Sequence, residues 1–131
     1  MASSTFDALL FMALPSRCST VWWHNIFYLS AWLDHAGVDY DQLVAALPRL
    51  VNSGLVRTRD GNFFLNAEGQ RRQAAISAGG ASMMAQWAAA TAMLEARTPS
   101  ATSKLKLPTR RQFDVALARY TARQHPAGRD R

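Results

Sequence analysis

Apolar residues in the first third of the chain recur at helical spacing. Ser4 or Thr5 can cap a helix in which Phe6, Leu9, Leu10, Ala13 and Leu14 share one face before Pro15 closes it. After a loop from Pro15 to Thr20, a second helix is expected from Val21 to Ala36. There Trp23, Phe27, Leu29, Trp32, Leu33 and Ala36 cover a wide apolar arc, and Gly37 supplies a stop. Asp39 or Asp41 opens a third helix with Leu43, Leu47 and Leu50 at i, i+4 and i+7, widened by Val44 and Val51 and ended by Asn52-Ser53-Gly54. Pro48 lies inside that stripe. Its missing backbone donor predicts a bend there, at a cost of about 3 kcal/mol.

The period then shortens to two. Leu55 to Arg59 alternates apolar and polar, Asp60-Gly61 is a two-residue hairpin turn, and Asn62 to Asn66 returns as a second strand. Ala67 to Gln70 leads into another helical stretch with Arg71 and Arg72 near its start, interrupted at Gly79-Gly80. Ser82 to Arg97 is an alanine-rich helix carrying Met83, Trp87 and Leu94 along one side, a surface that calls for a partner helix. Thr98 to Pro108 has the composition of a linker. Thr109-Arg110-Arg111-Gln112 matches the S/T-x-x-E/Q capping box. It heads a short basic helix with the stripe Phe113, Ala116, Leu117, Tyr120, ending near Gln124 and followed by a frayed end from His125. The fold class expected is mainly α with a small β-hairpin.

At 131 residues and 49% hydrophobic, the chain is one domain's worth of sequence, which excludes a large multidomain enzyme. Cys18, the single cysteine, permits no internal disulfide, so a reduced cytoplasm is the expected location. The run from Ala8 to Leu14 is not read as a signal peptide, because Asp7 precedes it and Arg17 sits beside Cys18. Cys18 to Leu33 is too short and polar for a membrane span. Gln73 to Leu94 is long enough, but alanine contributes little transfer energy, so no membrane partner is expected.

The net charge of +6 suggests an acidic partner, and its distribution refines that suggestion. Charges over residues 1 to 97 balance, with an acidic start offset by a basic patch of Arg49, Arg57, Arg59, Arg71 and Arg72. The whole excess comes from Lys104, Lys106 and arginines 110, 111, 119, 123, 129 and 131 against Asp114 and Asp130. The basicity therefore belongs mainly to the C-terminal segment, and an acidic protein is a second class of partner for it.

The ordered set of three helices, Leu43 to Arg57 with its Asn-Ser-Gly-Leu-Val, a hairpin tipped by Asp-Gly, and Phe64-Leu65-Asn66-Ala67-Glu68-Gly69 resembles the winged helix-turn-helix superfamily, in the style of MarR-like and PadR-like bacterial regulators. The last segment is similar to the Leu-Thr-x-x-Gly that closes the wing in those proteins. The resemblance covers about residues 5 to 75 and implies a winged-helix domain over 1–78. A packing or dimerisation helix over 79–97, a linker over 98–108 and a basic tail helix over 109–131 would follow it. It further implies binding of double-stranded DNA as a transcriptional regulator, with the third helix in the major groove and the hairpin on a neighbouring backbone.

Carried onto this chain, the groove-facing positions are Asp41, Gln42, Ala45, Ala46, Arg49 and Asn52, of which Gln42, Arg49 and Asn52 have directional groups for base edges. The hairpin contacts are Arg57, Thr58, Arg59 and Asn62, with Arg71, Arg72, Arg110 and Arg111 adding phosphate contacts. A homodimer through Met83, Trp87 and Leu94 would supply the second half-site. Asp39 and Asp41, at the start of the third helix, are suited to capping and dipole compensation rather than to phosphate. The alternative is a non-enzymatic adaptor of the same fold that docks on an acidic partner through Thr109 to Gln124.

Other chemistry finds little support. Cys18, His24 and His35, with Asp34 as a fourth group, match no closed zinc spacing, and Cys18 with His24 lacks an orienting third group for nucleophilic catalysis. No P-loop, dinucleotide fingerprint, HExxH or paired-carboxylate arrangement occurs, so neither an enzyme nor a cofactor is expected. Trp22-Trp23 and Phe27-Tyr28 are expected in the core beside Leu29, Trp32 and Leu33, although two adjacent tryptophans cannot both point inward, which leaves one of them open to a partner or a small ligand.

Overall fold

The computed structural model describes residues 3–33, 37–97 and 104–124. Among the described residues, six helices and one hairpin follow in the order α1 (Ser3–Ala13), α2 (Val21–Leu33), α3 (Tyr40–Asn52), β1 (Val56–Arg59), β2 (Asn62–Leu65), α4 (Ala67–Ser77), α5 (Met83–Glu95) and α6 (Arg110–Gln124). A 3-10 turn at Ala78–Gly80 joins α4 to α5, at the predicted glycine break. The observed class is mainly α with a two-stranded antiparallel hairpin.

The first helix is buried on more than the one face its pattern predicts. Ala8 and Phe11 are as inaccessible as Phe6, Leu9 and Leu10, because α5 packs against α1 while α2 and α3 hold its other sides. This packing gives the alanine-rich helix its partner within the same chain. Trp87, expected at a dimer interface, is buried instead, and its indole N–H donates to the Thr5 carbonyl at 2.8 Å. Leu94 is also packed against the core, so of the three predicted dimer residues only Met83 is exposed.

Asp39 caps α3 by accepting from the Gln42 N–H, and Leu43, Ala46, Leu47 and Leu50 are its buried positions. Ala46, expected to face the groove, is fully buried and belongs to the core. The helix continues through Pro48 to Asn52. Buried side chains before and after the proline anchor both halves, and that anchoring offsets the missing backbone bond.

The hairpin pairs Val56 with Leu65 and Arg59 with Asn62, and its turn residues Asp60 and Gly61 both have positive φ, at 55° and 78°. Two such residues in succession match the twist of a tight hairpin. Leu65 N–H donates to the Pro15 carbonyl at 2.8 Å, which fastens the hairpin to the α1–α2 loop. At its far end Asn66 N–H donates to the Leu55 carbonyl, its side-chain amide donates to the Gly54 carbonyl, and its oxygen accepts from the Gly69 N–H. One residue thus closes the hairpin and starts α4. The same approach explains Gly69: a Cβ there would stand 2.2 Å from the Leu55 carbonyl oxygen. Gly69→Ala is therefore expected to destabilise the fold by about 2 kcal/mol, measured by chemical denaturation, since backbone must move to admit the methyl group.

Candidate nucleic-acid interface

The basic helix α6 is docked on the body of the protein. Its capping box forms in both directions: Thr109 N–H donates to Gln112 Oε1 at 2.9 Å, and Gln112 N–H donates to Thr109 Oγ1 at 3.1 Å. Phe113, buried, meets Trp23, Phe27 and Tyr40 edge-on, with centroid distances of 6.3, 5.7 and 5.6 Å. Tyr40 hydroxyl donates to the Pro108 carbonyl at 2.8 Å, which ties the approach to α6 to the first turn of α3. The predicted linker residues 98–103 lie outside the described residues, whereas Pro108 is buried and Leu107 packs on the core.

The tryptophan pair divides as its adjacency requires. Trp22 is fully buried, with its indole N–H donating to Asn62 Oδ1 at 3.3 Å and its ring edge-on to Phe63. Trp23 stacks on it at 4.2 Å and is only half-buried. Together they join α2 to the hairpin on one side and to α6 on the other.

Strand alternation exposes Arg57 and Arg59, whose guanidinium groups lie 5.6 and 6.0 Å from the Phe64 ring centroid. These cation–π contacts hold the arms up over an apolar base without neutralising them. Thr58, expected beside them, pairs with Phe63 on the opposite face of the hairpin. Cys18 Sγ contacts the Arg59 carbonyl at 3.5 Å, which brings the exposed Arg17 close to the end of the same strand.

A cleft of about 360 Å³ lies beyond the hairpin tip. Asp60, Gly61 and Asn62 form one wall, Thr20 and Trp23 the floor, and Arg111, Gln112, Val115, Ala116 and Arg119 of α6 the other wall. Residues 111, 115 and 119 are spaced i, i+4, i+8, so one face of the helix presents both arginines. The cleft sets Arg111 and Arg119 of α6 opposite Asp60 at the hairpin tip, while Arg57 and Arg59 stand exposed along β1 and Arg17 adjoins Cys18, whose Sγ meets the Arg59 carbonyl.

Other predicted cations are already engaged. Arg49 makes a bidentate pair with Asp7 at 2.7 and 2.8 Å, and Asp7 is 7% exposed. This bond raises the Arg49 pKa above its ordinary value and commits a predicted base-reading side chain to α1. Arg71 and Arg72 both pair with Glu68, which holds that carboxyl below its ordinary range. Arg110 turns to Asp114 at 3.3 Å and lies over the Tyr40 and Phe113 rings. Gln42 and Asn52 are half-buried on α3, and the exposed positions of that helix are Asp41, Ala45 and Arg49.

Sequence reasoning did not single out Arg17 or Arg119 for this region, and it named Trp23 only as one of an adjacent pair of which one is left for a partner or ligand. The i, i+4, i+8 spacing of 111, 115 and 119 was the available signal for Arg119, while the approach of α6 to the hairpin depends on Phe113 finding Trp23 and Phe27. Among the metal candidates, Asp34 and His35 lie outside the described residues, His24 Nδ1 meets Arg123 at 3.3 Å, and no metal-holding group of three ligand side chains occurs among the described residues. No described helix is long and apolar enough to cross a membrane. Comparison of the chain with family models, curated proteins and solved structures finds no match.

The Asp7–Arg49 pair yields an asymmetric expectation. Arg49→Ala leaves a carboxylate buried without its partner and should cost about 2 kcal/mol, less than for a fully buried pair because the Arg49 side chain is 43% exposed. Asp7→Ala leaves a cation that can turn to water, and should cost less. Paired urea denaturation curves check the order. Glu68 carries a pH expectation: because its folded pKa is lowered, its stabilising contribution is present above its unfolded pKa and fades as pH falls through the folded value. NMR titration should place Glu68 below an ordinary glutamate, and Arg71→Ala with Arg72→Ala should return it upward.

Proposed function

We propose that the protein is a winged-helix DNA-binding protein, a cytoplasmic transcriptional regulator that grips duplex DNA chiefly through phosphate. The observation that carries this reading is the cleft that sets Arg111 and Arg119 of α6 against the hairpin, whose first strand exposes Arg57 and Arg59, with Arg17 next to Cys18 at the end of that strand. The order of three helices and a hairpin, with β2 bonded back to the α1–α2 loop, supports the winged-helix interpretation. The chemistry of α3 favours backbone contact over extensive base readout, since Arg49 is held by Asp7 and Asp41 stands at the helix start. A homodimer would use the outer side of α5, where Met83 and Met84 are exposed, because Trp87 and Leu94 serve the intrachain core. A second reading, the protein-interaction adaptor, is favoured by Trp32, 65% exposed on α2 beside a half-exposed Tyr28.

Five phosphate contacts predict a slope of about −4.5 for the logarithm of duplex affinity against that of salt concentration. Arg57→Ala with Arg59→Ala should reduce the steepness by about 2 and weaken all duplex sequences alike. Fluorescence anisotropy over a salt series measures both quantities. A wild-type chain with no salt-dependent duplex affinity would remove the DNA reading and leave the adaptor.

A further inference from the structure

The cleft at the hairpin tip combines features that a purely electrostatic grip on duplex does not require. Phosphate attraction needs exposed cations, and Arg57 and Arg59 already provide them on the open face of the hairpin. The cleft adds the half-buried aromatic Trp23, the side-chain amides of Asn62 and Gln112, and the carboxylate of Asp60, lining the same space as Arg111 and Arg119. Its volume of about 360 Å³ lies at the lower end of the range for small-ligand sites.

The two arginines stand eight residues apart on α6, so their backbone positions are separated by about 12 Å along the helix axis. Long arginine side chains from these two positions can converge on two anionic groups that flank a central body. The central body meets the exposed part of Trp23, whose ring already stacks on Trp22 and Phe27, and the amides, whose hydrogen-bonding capacity is partly committed. Asn62 Oδ1 accepts from Trp22 and Gln112 Oε1 accepts from Thr109 N–H, which leaves their NH₂ groups to donate. Asp60 only accepts when ionised.

We propose that this cleft holds one unpaired nucleotide of a nucleic-acid strand, its base against Trp23 and its flanking phosphates on Arg111 and Arg119. Asp60 favours a base that presents an exocyclic amine, so cytosine is preferred over thymine. The assignment extends the nucleic-acid reading of the basic face: duplex lies along the hairpin arginines, and a single-stranded end enters the cleft. A double-stranded base could not reach Trp23 without leaving its stack.

The test compares a blunt duplex with the same duplex carrying a three-nucleotide cytosine or thymine overhang, at fixed salt, with the full chain. The expected result is about fivefold tighter binding of the cytosine overhang than of the blunt end, accompanied by quenching of tryptophan fluorescence. Arg111→Ala with Arg119→Ala, both exposed, should remove that preference. Lys104→Ala with Lys106→Ala, an equal loss of charge away from the cleft, should preserve it. Asp60→Asn, which tolerates the same positive φ, should narrow the margin between cytosine and thymine.

Equal affinity for blunt and overhanging duplexes in the wild type overturns the proposal while leaving salt-dependent duplex binding intact. A preference that survives Arg111→Ala with Arg119→Ala also overturns it. If cytidine monophosphate alone binds as tightly as the overhang, the occupant is a free nucleotide and the strand assignment falls. Binding of single strands without any affinity for blunt duplex would support the cleft and sink the regulator reading instead.

Discussion

The aromatic seam running from Phe63 through Trp22, Trp23 and Phe27 to Phe113 holds the hairpin and α6 in place. Trp22 fastens the hairpin to α2 by burying its ring and giving its one polar atom to Asn62. Trp23 and Phe27 then form the surface on which Phe113 seats α6. Aromatic rings combine a large buried area with a preference for stacked or edge-on neighbours, so the seam determines both that these elements meet and at what orientation. Phe113 in that seat, with Tyr120 against Phe27 and His24, fixes Arg111 and Arg119 relative to the hairpin.

Charge acquires its meaning from this packing. The chain's cations divide between those consumed within the fold and those presented outward. Arg49 satisfies a carboxylate that α1 buries, Arg71 and Arg72 share Glu68, and Arg110 pairs with Asp114. Arg57 and Arg59 rest on Phe64, an apolar support that keeps their positive ends available. An arginine paired with a carboxylate must give up that partner before it can bind a phosphate, whereas one over a ring need not. The hairpin and the cleft wall are therefore better placed for an anionic partner than the exposed face of α3.

Much of the architecture was legible because local rules sufficed. Asp60-Gly61 specifies a turn through its backbone preferences, Thr109 and Gln112 specify a helix start through reciprocal hydrogen bonds, and Asp39 and Gly79-Gly80 mark helix ends. The candidate site was legible only in part. Arg57, Arg59 and Arg111 could be named from charge and position, but Thr58 took the opposite face of its strand and Ala46 joined the core. A helical stripe gives an approximate direction, and the width of the buried arc depends on what packs beside it.

The sequence by itself determined the order of elements, the hairpin turn, the capped start of α6 and the concentration of positive charge toward the C-terminus, since each depends on residues close together in the chain. Tertiary structure decided that α5 covers α1, so that Trp87 and Leu94 serve one chain rather than two. It also decided that α6 lies against α2 and faces the hairpin, which converts an apparent basic tail into one wall of a cleft. The physical reason is common to both outcomes. A helix carries its apolar stripe without specifying the surface that will bury it, and the choice is made by shape and area among side chains many residues apart.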